Sequence, residues 1–369
     1  MKKVLIVMHN LKVGNGVANC IMQYYDNLIE NGFYIDFLLT ADDESQWRSC
    51  VSQKGNVYVL PKTKIKYSKE VKNTIHTLFQ MNNYSAVHVN IPGPYGALIL
   101  KFAKRSKVGL RIYHSHNPQN SLSLRGKLTS LVFDFLCRNR ANSLLACSGA
   151  AGKSSFRNKR FTTLKNCIDV NFFKFNLEAR DKIRHSLGLG EKTFLVGSVG
   201  RLDQQKNPIF ALECFKELLK IRKDAYYIWL GTGKMKEEVE KYVKANNLEK
   251  TVLLVGIKDD VNEWYSAMDC FLLPSVFEGL GIVYIEAQAS GLECFGSTGV
   301  PSETEITSLM RRLDIALGAR FWAQAISETN TARKRLAFNH QVKEAGYDIA
   351  SENGALTNFY VSELENVKV

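Results

Sequence analysis

Two carboxylates, Glu278 and Glu286, bracket a glycine turn in the stretch Pro274-Ser-Val-Phe-Glu-Gly-Leu-Gly-Ile-Val-Tyr-Ile-Glu-Ala-Gln-Ala-Ser-Gly291. The preceding Met268-Asp-Cys-Phe-Leu-Leu273 reads as a short buried strand. The residues after Gly281 read as a helix with Ile282, Val283, Ile285 and Ala289 inside and Gly291 as its stop. A strand, a tight turn and a helix N-terminus leave backbone N–H groups at the positive end of a dipole, which is how proteins hold diphosphates. Carboxylates repel phosphate, so Glu278 and Glu286 need hydroxyl partners flanking such a diphosphate, on a sugar at one side and a ribose at the other. That chemistry is recognition of a nucleotide-sugar.

Arg201 and Lys206 flank a polar loop after the strand-like Phe194 to Val199, and Pro208 opens the helix that follows. Two fixed cations aimed at one spot suit a diphosphate leaving group, whose charge grows as its bond to the sugar breaks. The plainer alternative is a solvated loop pair. His114 and His116 share one face of a strand at the carboxyl edge where open α/β sheets bind ligands. A metal pair would lack an adjacent Asp or Glu as third ligand, which leaves a sugar contact or a satisfied structural histidine for His116 and a structural role for His114. Gly14-Asn-Gly16 follows the first strand, and Asp36 lies downstream, which invites comparison with the dinucleotide fingerprint. Asn19 stands where the third glycine belongs and Asp36 sits within a strand, so nicotinamide binding is poorly supported. Gly16 then serves either a close backbone approach to a ligand or a plain turn.

With Gly279, Gly281 and the following Glu-Ala-Gln-Ala-Ser-Gly, the Glu278 to Glu286 spacing resembles the E-x7-E signature of retaining glycosyltransferases of the GT-B fold, family 4. Gly197-Ser-Val-Gly-Arg-Leu-Asp-Gln-Gln-Lys-Asn207 resembles that family's diphosphate-binding loop. Leu230-Gly-Thr-Gly233, Val255-Gly256 and Asp259-Asp-Val261 resemble the stretches that line the nucleotide base. Lys165-Asn-Cys-Ile-Asp169 stands where the family commonly has Pro-Asn-Gly-Ile-Asp. The resemblance implies an α/β chain of GT-B architecture, with two doubly wound Rossmann-like domains facing each other across a cleft. It implies Arg201 and Lys206 on the diphosphate, Glu278 orienting the donor sugar, His116 near that sugar and Glu286 on the ribose. Gly16, Gly256, Gly279, Leu280 and Gly281 complete the donor site. No Asp-x-Asp triplet occurs, in agreement with a site that uses no metal and no cofactor beyond the donor. Ala at position 201 or 206 is expected to lower turnover and leave the fold intact.

Glu-Ala-Gln-Ala-Ser-Gly-Leu and Glu303-Thr-Glu-Ile-Thr307 look most like transferases of capsule or exopolysaccharide assembly. Those imply a UDP-sugar donor and a polyprenyl-diphosphate-linked glycan acceptor. The competing functions are a nucleotide-sugar epimerase, a non-catalytic nucleotide-sugar-binding protein and a carboxylate-pair glycoside hydrolase. Donor and linkage specificity is expected from Pro92-Gly-Pro94, His116 to Leu124 and Phe277 to Leu280.

The elements that must position these residues alternate between short apolar runs and longer helical ones through both halves of the 369-residue chain, as right-handed βαβ units on parallel sheets do. The expected domains are 1–172 on the acceptor side and 173–345 on the donor side, with a helical tail, 346–369, returning to the first. Gly296 to Ala319 is less regular. The net charge of +13 is uneven: residues 1–170 hold 24 Lys and Arg against 9 Asp and Glu, and the rest hold 25 against 27. This basic first half suits anionic lipid, and no nucleic-acid module accompanies it. Leu122 to Leu136 has apolar helical periodicity with basic ends, as a helix at a bilayer interface or a core-facing helix would. No run approaches the roughly 18 apolar residues of a membrane span, and the eight scattered cysteines suit reduced thiols. A cytoplasmic protein held peripherally at the inner face of the cell membrane is the expectation.

Overall fold

The computed structural model describes residues 2–12, 15–42, 44–63, 68–116, 124–190, 192–331 and 334–367. The chain divides into two compact units, Met1–Cys167 with Ala350–Val369, and Ile168–Ile349.

The first unit runs β1 (Lys2–Met8), α1 (Gly16–Glu30), β2 (Phe33–Leu39), α2 (Gln46–Ser52), β3 (Val57–Val59), α3 (Lys69–Met81), β4 (Ala86–Val89), α4 (Gly93–Arg105), β5 (Leu110–Ser115), α5 (Leu124–Arg140), β6 (Ser143–Ala146), α6 (Gly149–Phe156) and β7 (Thr162–Thr163). Among the described residues these strands form one parallel sheet in the order β3-β2-β1-β4-β5-β6-β7. Val4 to Met8 of β1 are wholly buried, because helices cover both faces of a central parallel strand and leave it no polar side. Asp36 is the exception on β2. Its carboxylate accepts from Tyr84 Oη at 2.8 Å and from the Asn56 backbone N–H at 2.9 Å, and it pairs with Lys3 Nζ at 3.0 Å. It is a structural anchor and has no capacity left for a ribose.

The second unit runs α7 (Leu177–Ser186), β8 (Phe194–Val199), α8 (Pro208–Ile221), β9 (Ala225–Leu230), α9 (Lys236–Ala245), β10 (Val252–Gly256), α10 (Val261–Ala267), β11 (Cys270–Leu273), α11 (Ile282–Ala289), β12 (Glu293–Ser297), β13 (Met310–Leu313), α12 (Gly318–Ser327) and α13 (Ala337–Val342). Its parallel sheet has the order β10-β9-β8-β11-β12-β13. The strand order reverses beside β8, between β9 and β11, and such a switch point is where doubly wound sheets bind ligands. The segment expected to be irregular, Gly296 to Ala319, holds the end of β12 and all of β13. Where the chain enters and leaves this unit, Ile168 and Asp348 form an isolated parallel bridge, with Ile168 N–H donating to Tyr347 O and Ile349 N–H to Ile168 O, each at 2.9 Å. After α14 (Ile349–Glu352), α15 (Ala355–Asn366) packs on α1 in the first unit, where Thr357 Oγ1 donates to Asn27 Oδ1 at 2.6 Å.

Two details differ from the sequence reading. The buried face of α11 is Tyr284, Ile285, Ala287, Gln288 and Ala289, while Ile282 and Val283 are half-exposed. Of the cysteines, all free, Cys50 alone is exposed. No helix among the described residues is long and apolar enough to cross a membrane.

Candidate active site

The turn between β11 and α11 is fixed by packing as much as by sequence. Gly281 caps the helix at φ 85°, and a Cβ there would lie 2.8 Å from the Tyr284 ring. Tyr284 is wholly buried, and its hydroxyl donates to the Leu273 carbonyl at the end of β11. At the other end Gly291, at φ 73°, closes a Schellman stop, its N–H donating to Gln288 O at 2.9 Å and that of Leu292 to Ala287 O at 3.0 Å. Gln288 ties the helix down. Its amide donates to Thr304 O at 2.8 Å and accepts from the Thr307 N–H and hydroxyl at 3.0 and 2.9 Å. The Gln of Glu-Ala-Gln-Ala-Ser-Gly and the Thr of Glu303-Thr-Glu-Ile-Thr307 are therefore one buried contact.

The charged residues converge on this turn. Lys206 Nζ donates to Glu278 Oε1 at 2.5 Å; the Glu278 side chain is buried and that of Lys206 is 13% exposed. Gln205 Nε2 takes the second oxygen, Oε2, at 3.3 Å and also donates to Phe277 O at 3.1 Å. Its own Oε1 accepts from Arg201 Nη2 at 3.5 Å. Arg201 is otherwise paired with Asp203 at 3.2 Å and its side chain is 71% exposed. The loop is bent to deliver these groups. Asn207 is left-handed at φ 53°, Pro208 begins α8, and the Lys206 N–H donates to Asp203 O at 3.1 Å. The two cations read alike in sequence, and the structure separates them: Arg201 is free to reorient, whereas removing Lys206 would strand a buried carboxylate. The geometry therefore makes loss of the Lys206 side chain the costlier of the two for stability.

Glu286 lies on α11 with Tyr265 Oη donating to its Oε2 at 2.8 Å. Burial pushes its pKa up to about 7, against the hydrogen bond from Tyr265 and the charge of Lys206, which both lower it. Gly279 and Leu280 fill the turn between the two carboxylates, with the Leu280 side chain buried. Gly256 ends β10 at φ 81°, and its carbonyl accepts from the Gly231 N–H at 2.7 Å. A Cβ at Gly231 would meet Gly200 O at 2.1 Å, and one at Gly233 would meet Leu202 O at 2.3 Å. These glycines let the loops after β8, β9 and β10 crowd together at the carboxyl edge. The second unit thus assembles Arg201, Lys206, Gly256, Glu278, Gly279, Leu280, Gly281 and Glu286 on one side of its sheet.

The first unit carries the other two predicted residues on its own carboxyl edge. Gly16 is the first residue of α1, and a Cβ there would meet nothing within 4 Å, so the chain itself does not require glycine. His116 follows β5, with Nε2 2.8 Å from Asn90 Oδ1. Asn90 Nδ2 donates to His88 O at 3.4 Å, which orients the amide and puts the His116 proton on Nε2. Behind it stands a buried column. The His116 ring centroid is 3.9 Å from that of His114, whose Nδ1 is 3.1 Å from His88 Nε2, and His88 Nδ1 is 2.6 Å from Tyr360 Oη of α15. Burial lowers the pKa of His88 and of His116 to about 3 and that of His114 well below its ordinary value. His114 is structural, as its sequence position suggested. Of the specificity loops, Pro92-Gly-Pro94 opens α4, while 117–123 lie outside the described residues.

Gln205, Tyr265, Asn90 and Tyr360 are the participants that sequence reasoning missed. Gln205 lies inside the matched loop and could have been found there. The other three sit in ordinary helix or strand-end positions with no motif around them.

Residues 179–308 match the family model described as glycosyl transferases group 1. EpsF of Bacillus subtilis, named as a glycosyltransferase, is 28% identical over 374 aligned positions that cover 97% of this chain and 96% of that one. The UDP-Gal:alpha-D-GlcNAc-diphosphoundecaprenol alpha-1,3-galactosyltransferase of Escherichia coli is 31% identical over 141 residues, 37% of this chain and 36% of its own. Among solved structures, Anabaena HepE in complex with UDP and glucose superimposes with a TM-score of 0.80 at 17% identity, covering 98% of this chain and all of that one. The two parallel sheets are those of the GT-B fold.

Proposed function

We propose that this chain, a glycosyltransferase of GT-B fold that resembles the enzymes of exopolysaccharide assembly, moves a sugar with retention from a UDP-sugar to a polyprenyl-diphosphate-linked oligosaccharide. The observation that carries the reading is the buried Lys206–Glu278 ion pair at the N-terminus of α11, with Glu286 on the same helix. The diphosphate is assigned to the backbone of Gly279 to Gly281, with Lys206 and Arg201 as counter-charges. As the bond to the sugar breaks, negative charge gathers on the departing phosphate oxygen. The two cations therefore stabilise the transition state more than the bound donor. They also supply the neutralisation for which other sites use a metal.

Both oxygens of Glu278 are engaged, by Lys206 and Gln205, which suits a carboxylate that positions a sugar hydroxyl rather than one that attacks carbon. Retention then arises by front-face attack. The anomeric carbon–phosphate oxygen bond breaks, the acceptor oxygen bonds to the same face, and its proton passes to the departing phosphate, releasing UDP. Glu286 is assigned the ribose, Gly256 the nucleotide end, Gly16 the diphosphate and neutral His116 a hydroxyl of the transferred sugar. The names of the E. coli galactosyltransferase and of the HepE complex support the choice of UDP and of a lipid diphosphate acceptor. Work on such an acceptor places the protein at the inner face of the cell membrane, in capsule or exopolysaccharide synthesis.

The test is transfer from a UDP-sugar to a polyprenyl-diphosphate glycan in the presence of EDTA, with the product's anomeric configuration read by NMR. Stoichiometric UDP release and a retained configuration are expected. Inversion, a metal requirement, or conversion of the donor sugar with no acceptor present would each contradict the reading, the last in favour of an epimerase.

A further inference from the structure

Helix α5 turns one face into the fold and leaves an apolar stripe on the other. Asp134 and Cys137 turn inward, Asp134 accepting the Tyr113 hydroxyl at 2.6 Å. Leu128, Leu131, Val132 and Phe135 turn outward and are 67, 42, 50 and 52% exposed. Their spacing of three, four and seven residues makes one continuous stripe along the helix. Scattered surface leucines need no explanation, whereas a contiguous row of large apolar side chains marks a surface that something covers.

The charge around the stripe says what covers it. From residue 71 to residue 168 the chain has 15 Lys and Arg and a single carboxylate, Asp134, which is buried. The surface this segment presents is cationic, with no exposed acid from the same segment to offset it. At the stripe itself the Arg138 guanidinium sits 5.4 Å over the Phe135 ring. Lys159 Nζ donates to Arg138 O at 3.1 Å and Asn139 Oδ1 at 2.8 Å, adding a cation at the same end of the helix. A second copy of the chain would bring the same cations against these. A surface that is apolar inside and anionic at its rim complements both features, and that is a bilayer with acidic headgroups.

We propose that α5 docks the protein on an anionic membrane, with Leu128, Leu131, Val132 and Phe135 among the acyl chains and the flanking Arg and Lys at the phosphates. This deepens the lipid-linked acceptor reading and rests on it for its purpose, although membrane binding is measurable without any transfer.

Flotation of the full chain with phosphatidylcholine vesicles, with and without phosphatidylglycerol, tests it. Binding is expected only with phosphatidylglycerol, and weakening as ionic strength rises to about 1 M. The variant carrying Leu128→Ser, Leu131→Ser, Val132→Ser and Phe135→Ser is expected to lose binding while its melting temperature and its stabilisation by UDP-sugar stay those of the unmodified chain. If that variant does not fold, Leu128→Ser alone is expected to weaken binding about tenfold. Undiminished vesicle binding by a folded stripe variant overturns the proposal, as does failure of the unmodified chain to bind anionic vesicles. Self-association that the stripe variant abolishes, with no vesicle binding, would make a second copy the occupant and equally overturn it. Absence of UDP-sugar stabilisation in the unmodified chain strikes instead at the transferase reading, so the two failures are distinguishable.

Discussion

The carboxyl edges of the two sheets handle polar groups in opposite ways. The edge of the second unit concentrates charge: Lys206 against Glu278, Arg201 beside them, and Glu286 under Tyr265. Beside β4 and β5 the edge of the first unit holds its titratable groups neutral. Three histidines stand in a buried column whose environment holds them neutral, between Asn90 at one end and Tyr360 at the other. A site that must meet a dianionic diphosphate has to carry fixed cations, and buried cations need a carboxylate to live with in the empty state. A group that meets a hydroxyl can be dry and neutral, and a neutral imidazole both donates and accepts. One edge pairs its charges, and the other holds its buried histidines neutral.

Lys206→Ala should break the charged edge most severely. Turnover is expected to fall by about 10²–10³, and stability by about 3–5 kcal/mol because Glu278 is left buried and unpaired. Adding Glu278→Gln should restore much of the stability in urea unfolding and none of the turnover, which separates the two effects. Arg201→Ala should lower turnover about 10² with stability inside about 0.5 kcal/mol of the parent, since that side chain is exposed. Equal destabilisation by both substitutions would mean that Lys206 and Glu278 are not a buried pair.

The neutral edge is sharpened by acid. His88 and His116 take a proton near 6.5 when unfolded and only near 3 when folded. The folded state therefore binds fewer protons between those values. Their contribution to stability is complete above about pH 6.5 and is lost as pH falls toward 3. His88→Phe, whatever its stability at neutral pH, should lose about 2 kcal/mol less than the parent on acidification to about pH 4.5. Parallel pH profiles for variant and parent in urea midpoints would show that His88 is not held neutral.

Glu286 acts with the opposite sign. Its folded pKa of about 7 lies above the ordinary 4.5, so the folded state binds more protons in that window. Its contribution to stability falls as pH rises from 4.5 to 7, and the cost is full above 7. If Glu286 holds the ribose as proposed, its ionised form accepts the hydroxyls, and UDP-sugar affinity should weaken about threefold to tenfold per pH unit below about 7. Glu286→Gln should flatten both profiles in calorimetric titrations.

Much of this edge was legible in the sequence because its elements are local. The strand–turn–helix from Met268 to Gly291 and the loop from Gly197 to Pro208 each carry their glycines, proline and charges within one short stretch of chain. The partners that complete them come from far along the chain. Tyr360 reaches His88 from 272 residues along the chain, and Tyr265 meets Glu286 from the preceding helix. β12 was missed because Glu293-Cys-Phe-Gly-Ser297 shows no apolar run: Gly296 is there for the Met310 side chain and the Tyr284 ring, which a Cβ would meet at 2.7 and 3.0 Å. β13 is an edge strand whose arginines pair with Glu293 and Glu305, so its pattern reads as surface. The stripe on α5 was visible as periodicity, but which face the fold would leave open depends on the packing of α4 and α6 against it.

The central claim is a metal-independent UDP-sugar site on the charged edge of the second unit. Its most direct test is a thermal-shift panel of UDP-, GDP- and dTDP-sugars on the purified chain, with and without EDTA, repeated on Glu286→Ala. Stabilisation by the UDP-sugars, unaffected by EDTA and lost in the variant, is the predicted result. Stabilisation by none of them, or stabilisation that the variant retains in full, would contradict the account.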